Sequence, residues 1–203
     1  MTEDSQDIAL FDMDGTLCDY HGKLLGDLSL LAGPREKKKL SSQDLFDSDL
    51  PTYLRQRIRL IRRQPGWWKN LPFLKMGMDL YQLTQEMGYE NVVVTKGPRS
   101  IPQAWGEKQA WVKRRLGDTK MVLADDKSLV YGKVLVEDYL PFIEPWLEQR
   151  PRGLVIIPDH SHNKGFSHPR AVRYTGKKDS FRRVKQALHI VKERKPGEDL
   201  ILD

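Results

Sequence analysis

The 203-residue chain has little that could cross-link it or anchor it. Its single cysteine, Cys18, has no partner for an internal disulfide, which excludes a stapled secreted scaffold and favours a reducing compartment. No apolar run approaches the roughly 18 residues of a membrane span. The opening Met1-Thr2-Glu3-Asp4-Ser5-Gln6-Asp7 is too acidic and polar for a signal peptide. There is no internal repeat and no low-complexity tract. Net charge is +6 but unevenly spread, with 13 basic and 6 acidic side chains in residues 150–203 against 21 and 22 in residues 1–149. A solvated basic face explains that surplus more simply than a polyanion partner. At 39% apolar and 31% charged residues, disorder and fibrous architectures are poor readings, and the length suits one domain with a modest insertion. A soluble cytoplasmic protein is expected.

What the sequence does hold is a set of short buried strands. Residues 8–11, 91–95, 121–124, 133–136 and 153–157 are apolar nearly throughout instead of alternating, the pattern of strands covered on both faces of a parallel sheet. Helical periodicity fills the gaps: residues 72–87 place Leu74, Met76, Leu80, Leu83 and Met87 at helix spacing, and residues 102–116 read likewise. A last amphipathic helix runs from Lys177 to Lys195, with Phe181, Val184, Leu188 and Val191 inward. Alternating strands and helices predict an α/β fold, a three-layer sandwich around a central parallel sheet. Residues 19–75 break the rhythm. They contain no convincing strand, a helix over 52–63 with a basic face of Arg55, Arg59, Arg62 and Arg63, and a polar loop, Gly33 to Ser42, with its Lys37-Lys38-Lys39 run. This segment is expected to be a small helical cap after the first strand, with residues 1–18 and 76–203 forming the core.

The first strand runs into Asp12-Met13-Asp14-Gly15-Thr16. Ligands of open α/β sheets bind beyond the carboxyl ends of the strands, where these acids sit. Two adjacent carboxylates repel one another, a hard divalent cation such as Mg²⁺ offsets that repulsion, and the pair can divide nucleophile from general acid/base work. An Asp-Gly turn with a helix cap is the simpler reading of the bare string, but the apolar strand ahead of it favours chemistry. The second strand ends in Thr95-Lys96-Gly97-Pro98, suited to an anion such as phosphate, and the fourth in Glu137-Asp138, able to complete a metal site. Lys108 can reach the same pocket. Each residue alone has a structural explanation; together they indicate phosphoryl transfer.

This order of motifs resembles the four motifs of the haloacid dehalogenase (HAD) superfamily of phosphohydrolases across residues 8–138. The resemblance implies Asp12 as nucleophile through an aspartyl-phosphate, Asp14 as general acid/base, and Thr95 and Lys108 holding the transferring phosphoryl group. It implies Mg²⁺ bound by the Asp12 carboxylate, the Asp14 backbone carbonyl and the Asp138 carboxylate, with Glu137 orienting metal-bound water. More narrowly, Tyr20 after Asp12-Met13-Asp14-Gly15, the stretch Glu107-Lys108-Gln109-Ala110-Trp111-Val112, and Asp126-Lys127 ahead of Leu135-Val136-Glu137-Asp138 are similar to the 5′(3′)-deoxyribonucleotidases. That likeness implies a nucleoside monophosphate substrate, with Lys127 near its phosphate and Tyr20 and Trp68 packing on base or sugar, although cap-to-core packing explains Trp67 and Trp68 equally well. Lys96, read from its place at the end of the second strand, is a further candidate for binding the phosphate. The chain departs from that family in Glu137 for an Asp, in Lys96-Gly97-Pro98 for Ser-Pro, and in Asp125 for an arginine. The alternatives are a nucleic-acid end phosphatase, resting on the basic 55–63 face and the basic C-terminal quarter although no nucleic-acid fold motif accompanies them, and a HAD phosphatase of another small phosphate ester.

Two signals stay outside this scheme. Cys18 has no fixed base partner and reads as a packed thiol. His160-Ser161-His162 follows the fifth strand; a His-x-His pair can bind metal, but no third ligand is fixed by spacing, and substrate-loop or surface duty is the simpler reading.

Overall fold

The computed structural model describes residues 7–33, 40–46, 49–195 and 197–202. The Lys37-Lys38-Lys39 run and the first six residues lie outside them.

Six parallel strands form one sheet: β1 (Ile8–Phe11), β2 (Glu90–Thr95), β3 (Lys120–Leu123), β4 (Val134–Val136), β5 (Leu154–Pro158) and β6 (Ala171–Tyr174), in the order β3-β2-β1-β4-β5-β6. The apolar runs form the strands because both faces are covered. Ala9, Phe11, Val93, Val136 and Ile156 pack into one core, and Leu10, Val92, Val94, Leu135, Val155 and Ile157 into the other. The first core is closed by α3 (Lys75–Glu86), α4 (Gln103–Leu116) and α6 (Lys178–Glu193), through Leu80, Trp111 and Leu188 among others. The second is closed by α5 (Leu140–Gln149), through Ile143, Trp146 and Leu147. The α/β layered reading therefore holds. All five expected strands and the helices expected over 52–63, 72–87, 102–116 and 177–195 end within two residues of expectation; β6 and α5 were not anticipated.

Between β1 and α3 lie α1 (Tyr20–Leu30), a short 3₁₀ turn at Gln43–Phe46, α2 (Thr52–Arg62) and another at Trp68–Asn70. Asp19 caps α1 by accepting from Gly22 N at 2.9 Å. This segment is bolted to α4: both Glu107 oxygens accept backbone N–H groups of the second turn region, from Gly66 at 2.6 Å and Trp68 at 3.1 Å.

The topology decides where ligands go. From β1 the chain moves outward to β2 and β3, then returns to place β4 on the other side of β1, so the strand order reverses at β1. The crevice outside the carboxyl ends of β1, β2 and β4 is the switch point at which such sheets bind ligands. Register completes the convergence: Phe11 lies beside Val93 and Val136, so Asp12, Thr95 and Glu137-Asp138 emerge at one edge.

Candidate active site

The turn after β1 is wound tightly. Leu17 N and Cys18 N both donate to Met13 O, and Gly15 N donates to Cys18 O. Gly15 has φ +89°, and a Cβ there would fall 2.4 Å from Asp138 Oδ2. Only glycine permits both that backbone and that approach. Gly77 serves the same turn from α3, where a Cβ would lie 1.9 Å from Thr16 O. The turn is thus pressed between α3 and the end of β4. Cys18 is buried beneath it, its Sγ 3.7 Å from Asp14 Oδ1, and burial pushes its thiol well above the usual range. It is a packed thiol.

The two carboxylates of the turn have different partners. Lys127, itself buried, donates to Asp12 Oδ1 and to Glu137 Oε2 at 2.6 Å. Lys108, also fully buried, donates to Asp14 Oδ2 at 2.5 Å and to Thr95 Oγ1 at 2.9 Å. Glu137 spends its other oxygen on the backbone N–H groups of Asp138 and Tyr139, at 3.2 and 3.1 Å. Asp138 Oδ1 accepts from Thr16 Oγ1 at 3.3 Å, and Oδ2 lies 3.0 Å from His162 Nε2.

Burial dominates the electrostatics. It raises Asp12 to about 6, Asp138 and Asp14 adding to the rise while Lys127 opposes it. Burial also raises Glu137 to about 8, aided by Asp12. At Asp138 burial works upward too, but the His162 hydrogen bond and the charges of His160 and His21 outweigh it and hold the carboxyl below its ordinary value. Lys127 is pushed upward, because Asp12 and Glu137 overcome its burial. Asp12, Glu137 and Asp138 offer oxygens within 4.8 Å of one another. Three buried carboxylates against one shared lysine leave a negative excess that suits a hard divalent cation. The donor set fits Mg²⁺.

Above this floor lies a cleft of about 370 Å³, within the range of small-molecule sites. Asp12, Asp14, Tyr20, Trp68, Lys96, Lys127, Glu137 and Asp138 all line it, whereas Thr95 and Lys108 lie beneath, 1% and 0% exposed. Trp68 is in the wall yet only 1% exposed. Its Nε1 donates to Arg62 O at 2.9 Å and its ring stacks on Tyr20, with centroids 5.6 Å apart. Lys96 lies 3.4 Å from the Asp125 carboxylate, which Arg99 also grips at 2.7 Å. The acid at 125 is therefore neutralised locally.

Sequence reasoning missed His21, Phe46, Tyr139 and Phe142, and took Arg62 for part of an exposed basic face. Arg62 instead turns inward over the Trp68 ring at 5.2 Å, while Arg55, Arg59 and Arg63 stay exposed. Phe46 and Tyr139, each more than a third exposed, stack with centroids 5.7 Å apart. Tyr139 could have been read from its place directly after Glu137-Asp138. Nothing near Phe46 announces it. In the His160–His162 loop Ser161 is exposed, but the His162 side chain turns inward and is 4% exposed.

Residues 6–187 match the family model described as 5′ nucleotidase, deoxy (Pyrimidine), cytosolic type C protein. The chain belongs to that family. It is accordingly a phosphatase of the 5′-nucleotidase type, on the HAD fold. A Bordetella pertussis protein provisionally named a 5′(3′)-deoxyribonucleotidase is 26% identical over 162 residues, covering 77% of this chain and 86% of that one. A Bordetella bronchiseptica protein of the same name is 25% identical over the same shares. The fold is shared with a HAD family hydrolase from Deinococcus radiodurans, solved with bound phosphate and sodium (TM-score 0.55, 14% identity, 91% of this chain and 96% of that chain). It is also shared with a haloacid dehalogenase-like hydrolase from Xanthomonas campestris (TM-score 0.52, 16% identity, 94% and 99%). Among the described residues no helix is long and apolar enough to cross a membrane.

Proposed function

We propose that this nucleotidase-family chain is a Mg²⁺-dependent 5′(3′)-deoxyribonucleotidase that hydrolyses nucleoside monophosphates through an aspartyl-phosphate on Asp12. The observation that carries the reading is the separate pairing of the two turn carboxylates, Asp12 with Lys127 and Asp14 with Lys108. Separate partners let two chemically identical groups take different roles.

In this reading Asp12 attacks phosphorus in line, and the sugar oxygen leaves with a proton from Asp14. Asp14 then takes a proton from water as that water attacks the phosphoaspartate, releasing phosphate and restoring Asp12. Lys127, already on Asp12, neutralises charge on the transferring phosphoryl group; Lys96 at the cleft rim supplies a second cation. Thr95 and Lys108 form the buried support of Asp14, with the Thr95 hydroxyl and strand-end backbone nearest the phosphoryl oxygens. Asp12, the Asp14 carbonyl and Asp138 would hold Mg²⁺, which supplies electrostatic stabilisation of the phosphoryl oxygens. Glu137, with both oxygens engaged, fixes Lys127 and the Asp138 turn and is suited to orienting metal-bound water. Residues 19–75 act as the cap, and the exposed Phe46–Tyr139 stack, with Tyr20 behind it, receives the nucleobase. Trp68 serves as the pillar under Tyr20.

A panel of phosphate esters assayed with Mg²⁺ and with EDTA tests the proposal. Nucleoside monophosphates should be preferred over phenyl phosphate and over a 3′- or 5′-phosphorylated oligonucleotide, all activity should vanish in EDTA, and Asp12→Asn should be inactive while folded. Turnover by Asp12→Asn at the wild-type rate would sink the aspartyl-phosphate mechanism. A preference for the oligonucleotide, with activity falling steeply as salt rises, would transfer the assignment to a nucleic-acid end phosphatase.

A further inference from the structure

One histidine of the His-x-His pair, His162, meets two further candidate ligands in the fold. The loop after β5 folds back over the end of β4, where Asn163 Nδ2 donates to Asp138 O at 3.0 Å and to Pro158 O at 3.0 Å. Arg173 on β6 fastens the same loop, donating to Asn163 Oδ1 at 2.7 Å and to Asp159 Oδ1 at 3.0 Å. This rigid loop carries His162 to Asp138, and the first turn of α1 brings His21 in from the opposite side, 5.3 Å away ring to ring. One donor atom each from His21, Asp138 and His162 lies within 4.8 Å of the others.

We propose that His21, Asp138 and His162 form a second cation site, for a borderline ion of the Zn²⁺ class, beside the oxygen-only Mg²⁺ site. Three features of the donor set carry this. Two imidazoles and one carboxylate are the ligands that zinc, copper and nickel take, whereas Mg²⁺ takes oxygens. Two ligands about 2.05 Å from a tetrahedral ion stand about 3.3 Å apart, and His162 Nε2 lies 3.0 Å from Asp138 Oδ2. His162 is also uncommitted otherwise: Nε2 faces two acceptors, Asp138 Oδ2 and Asp138 O at 3.1 Å, and Nδ1 is buried without a hydrogen-bond partner among the described residues. One ring proton cannot serve both oxygens, while a cation beside Nε2 is drawn to both. His160 is not a ligand, because its Nε2 holds Gly15 O at 2.7 Å and pins the catalytic turn. Asp138 is common to the two sites, so an ion on the histidines pulls on a carboxylate that the Mg²⁺ site also needs. The inference does not depend on which phosphate ester is hydrolysed.

Zn²⁺ titrated against a chromophoric chelator in millimolar Mg²⁺ should reveal one equivalent bound per chain. His162→Ala and His21→Ala should each weaken it at least tenfold, and Asp12→Asn, which damages only the carboxylate site, should leave it within threefold of wild type. Because a histidine variant could perturb the loop, wild-type protein loaded with Cu²⁺ gives an independent reading: its electron paramagnetic resonance spectrum should carry nitrogen couplings from two imidazoles. Zn²⁺ affinity unchanged in the His21→Ala/His162→Ala double variant would overturn the proposal. So would equal loss in Asp12→Asn, or a Cu²⁺ spectrum without imidazole nitrogen.

Discussion

Lys127 and Lys108 enter the site from opposite sides, and the acid each one holds is what separates their expected phenotypes. Removing Lys127 strips from Asp12 and Glu137 the one basic partner they have among the described residues, while both stay buried. Breaking a buried pair from one side typically costs about 3–5 kcal/mol, and loss of one stabilising cation in phosphoryl transfer about 10²–10³ in rate. Lys127→Met should therefore lower both Tm and kcat. Lys108→Met leaves Asp12 paired and frees Asp14, so kcat should fall while Mg²⁺ affinity, measured by calorimetry, stays near wild type. Equal loss of Mg²⁺ affinity in the two variants would show that the lysines do not divide the carboxylates as proposed. The resemblance implied that Thr95 and Lys108 hold the transferring phosphoryl group and that Lys127 touches the substrate phosphate; which carboxylate each lysine grips depends on side-chain reach, and spacing carries no information about reach.

At the scale of elements, strands covered on both faces were legible because nothing but apolar β-formers fits there, and the carboxylates at their ends were legible with them. α5 was not, because Pro141 and Pro145 interrupt its ten residues and disguise its inward stripe of Ile143, Trp146 and Leu147. β6 was missed because an edge strand need not be apolar, and its Arg173 serves the 159–166 loop rather than a core. Residues 19–75 were legible as helical but not as a surface. Their member most open to the cleft, Phe46, sits in a four-residue 3₁₀ turn with no periodicity to betray it. The cap aromatics should accordingly separate by experiment. Phe46→Ala should raise KM for a nucleoside monophosphate by about 5–150-fold, the equivalent of 1–3 kcal/mol of base stacking, with little change in Tm or in phenyl phosphate hydrolysis. Trp68→Ala removes a buried ring and should instead lower stability by about 3–5 kcal/mol. If Trp68→Ala were as stable as wild type and Phe46→Ala left KM unchanged, the base would bind elsewhere.

For the molecule as a whole, cation binding and stability are linked through the carboxylates that burial has made weak acids. Glu137 is raised from 4.5 to about 8 and Asp12 from 3.8 to about 6. A carboxyl raised in the folded state binds its proton more tightly there than in the unfolded chain. Its contribution to stability is complete below the unfolded pKa and is lost as pH rises through the folded one. Asp138 is shifted downward, so its contribution has the opposite sign, but it changes only below its ordinary value near 3.8. Burial holds His21 and His168 below their ordinary 6.5, so their contribution grows as pH rises to about 6.5 and is constant above it. Above about pH 7 Glu137 therefore sets the trend, and in EDTA Tm should fall as pH rises from 7 to 8. A divalent cation competes with the Asp12 proton for that carboxylate and is attracted by the Glu137 charge beside it, so it binds more tightly once both protons have left. Saturating Mg²⁺ should raise Tm more at pH 8 than at pH 5.5, and Asp12→Asn should shrink the difference between the two gains. Ca²⁺ should also raise Tm yet support little turnover, because its longer bonds and higher coordination number misplace the nucleophile and the phosphoryl group. Scanning calorimetry at the two pH values, with Mg²⁺, Ca²⁺ and EDTA, checks all of this at once. A Mg²⁺-induced gain that is equal at both, or larger at pH 5.5, would mean that the cation does not sit among the raised carboxylates.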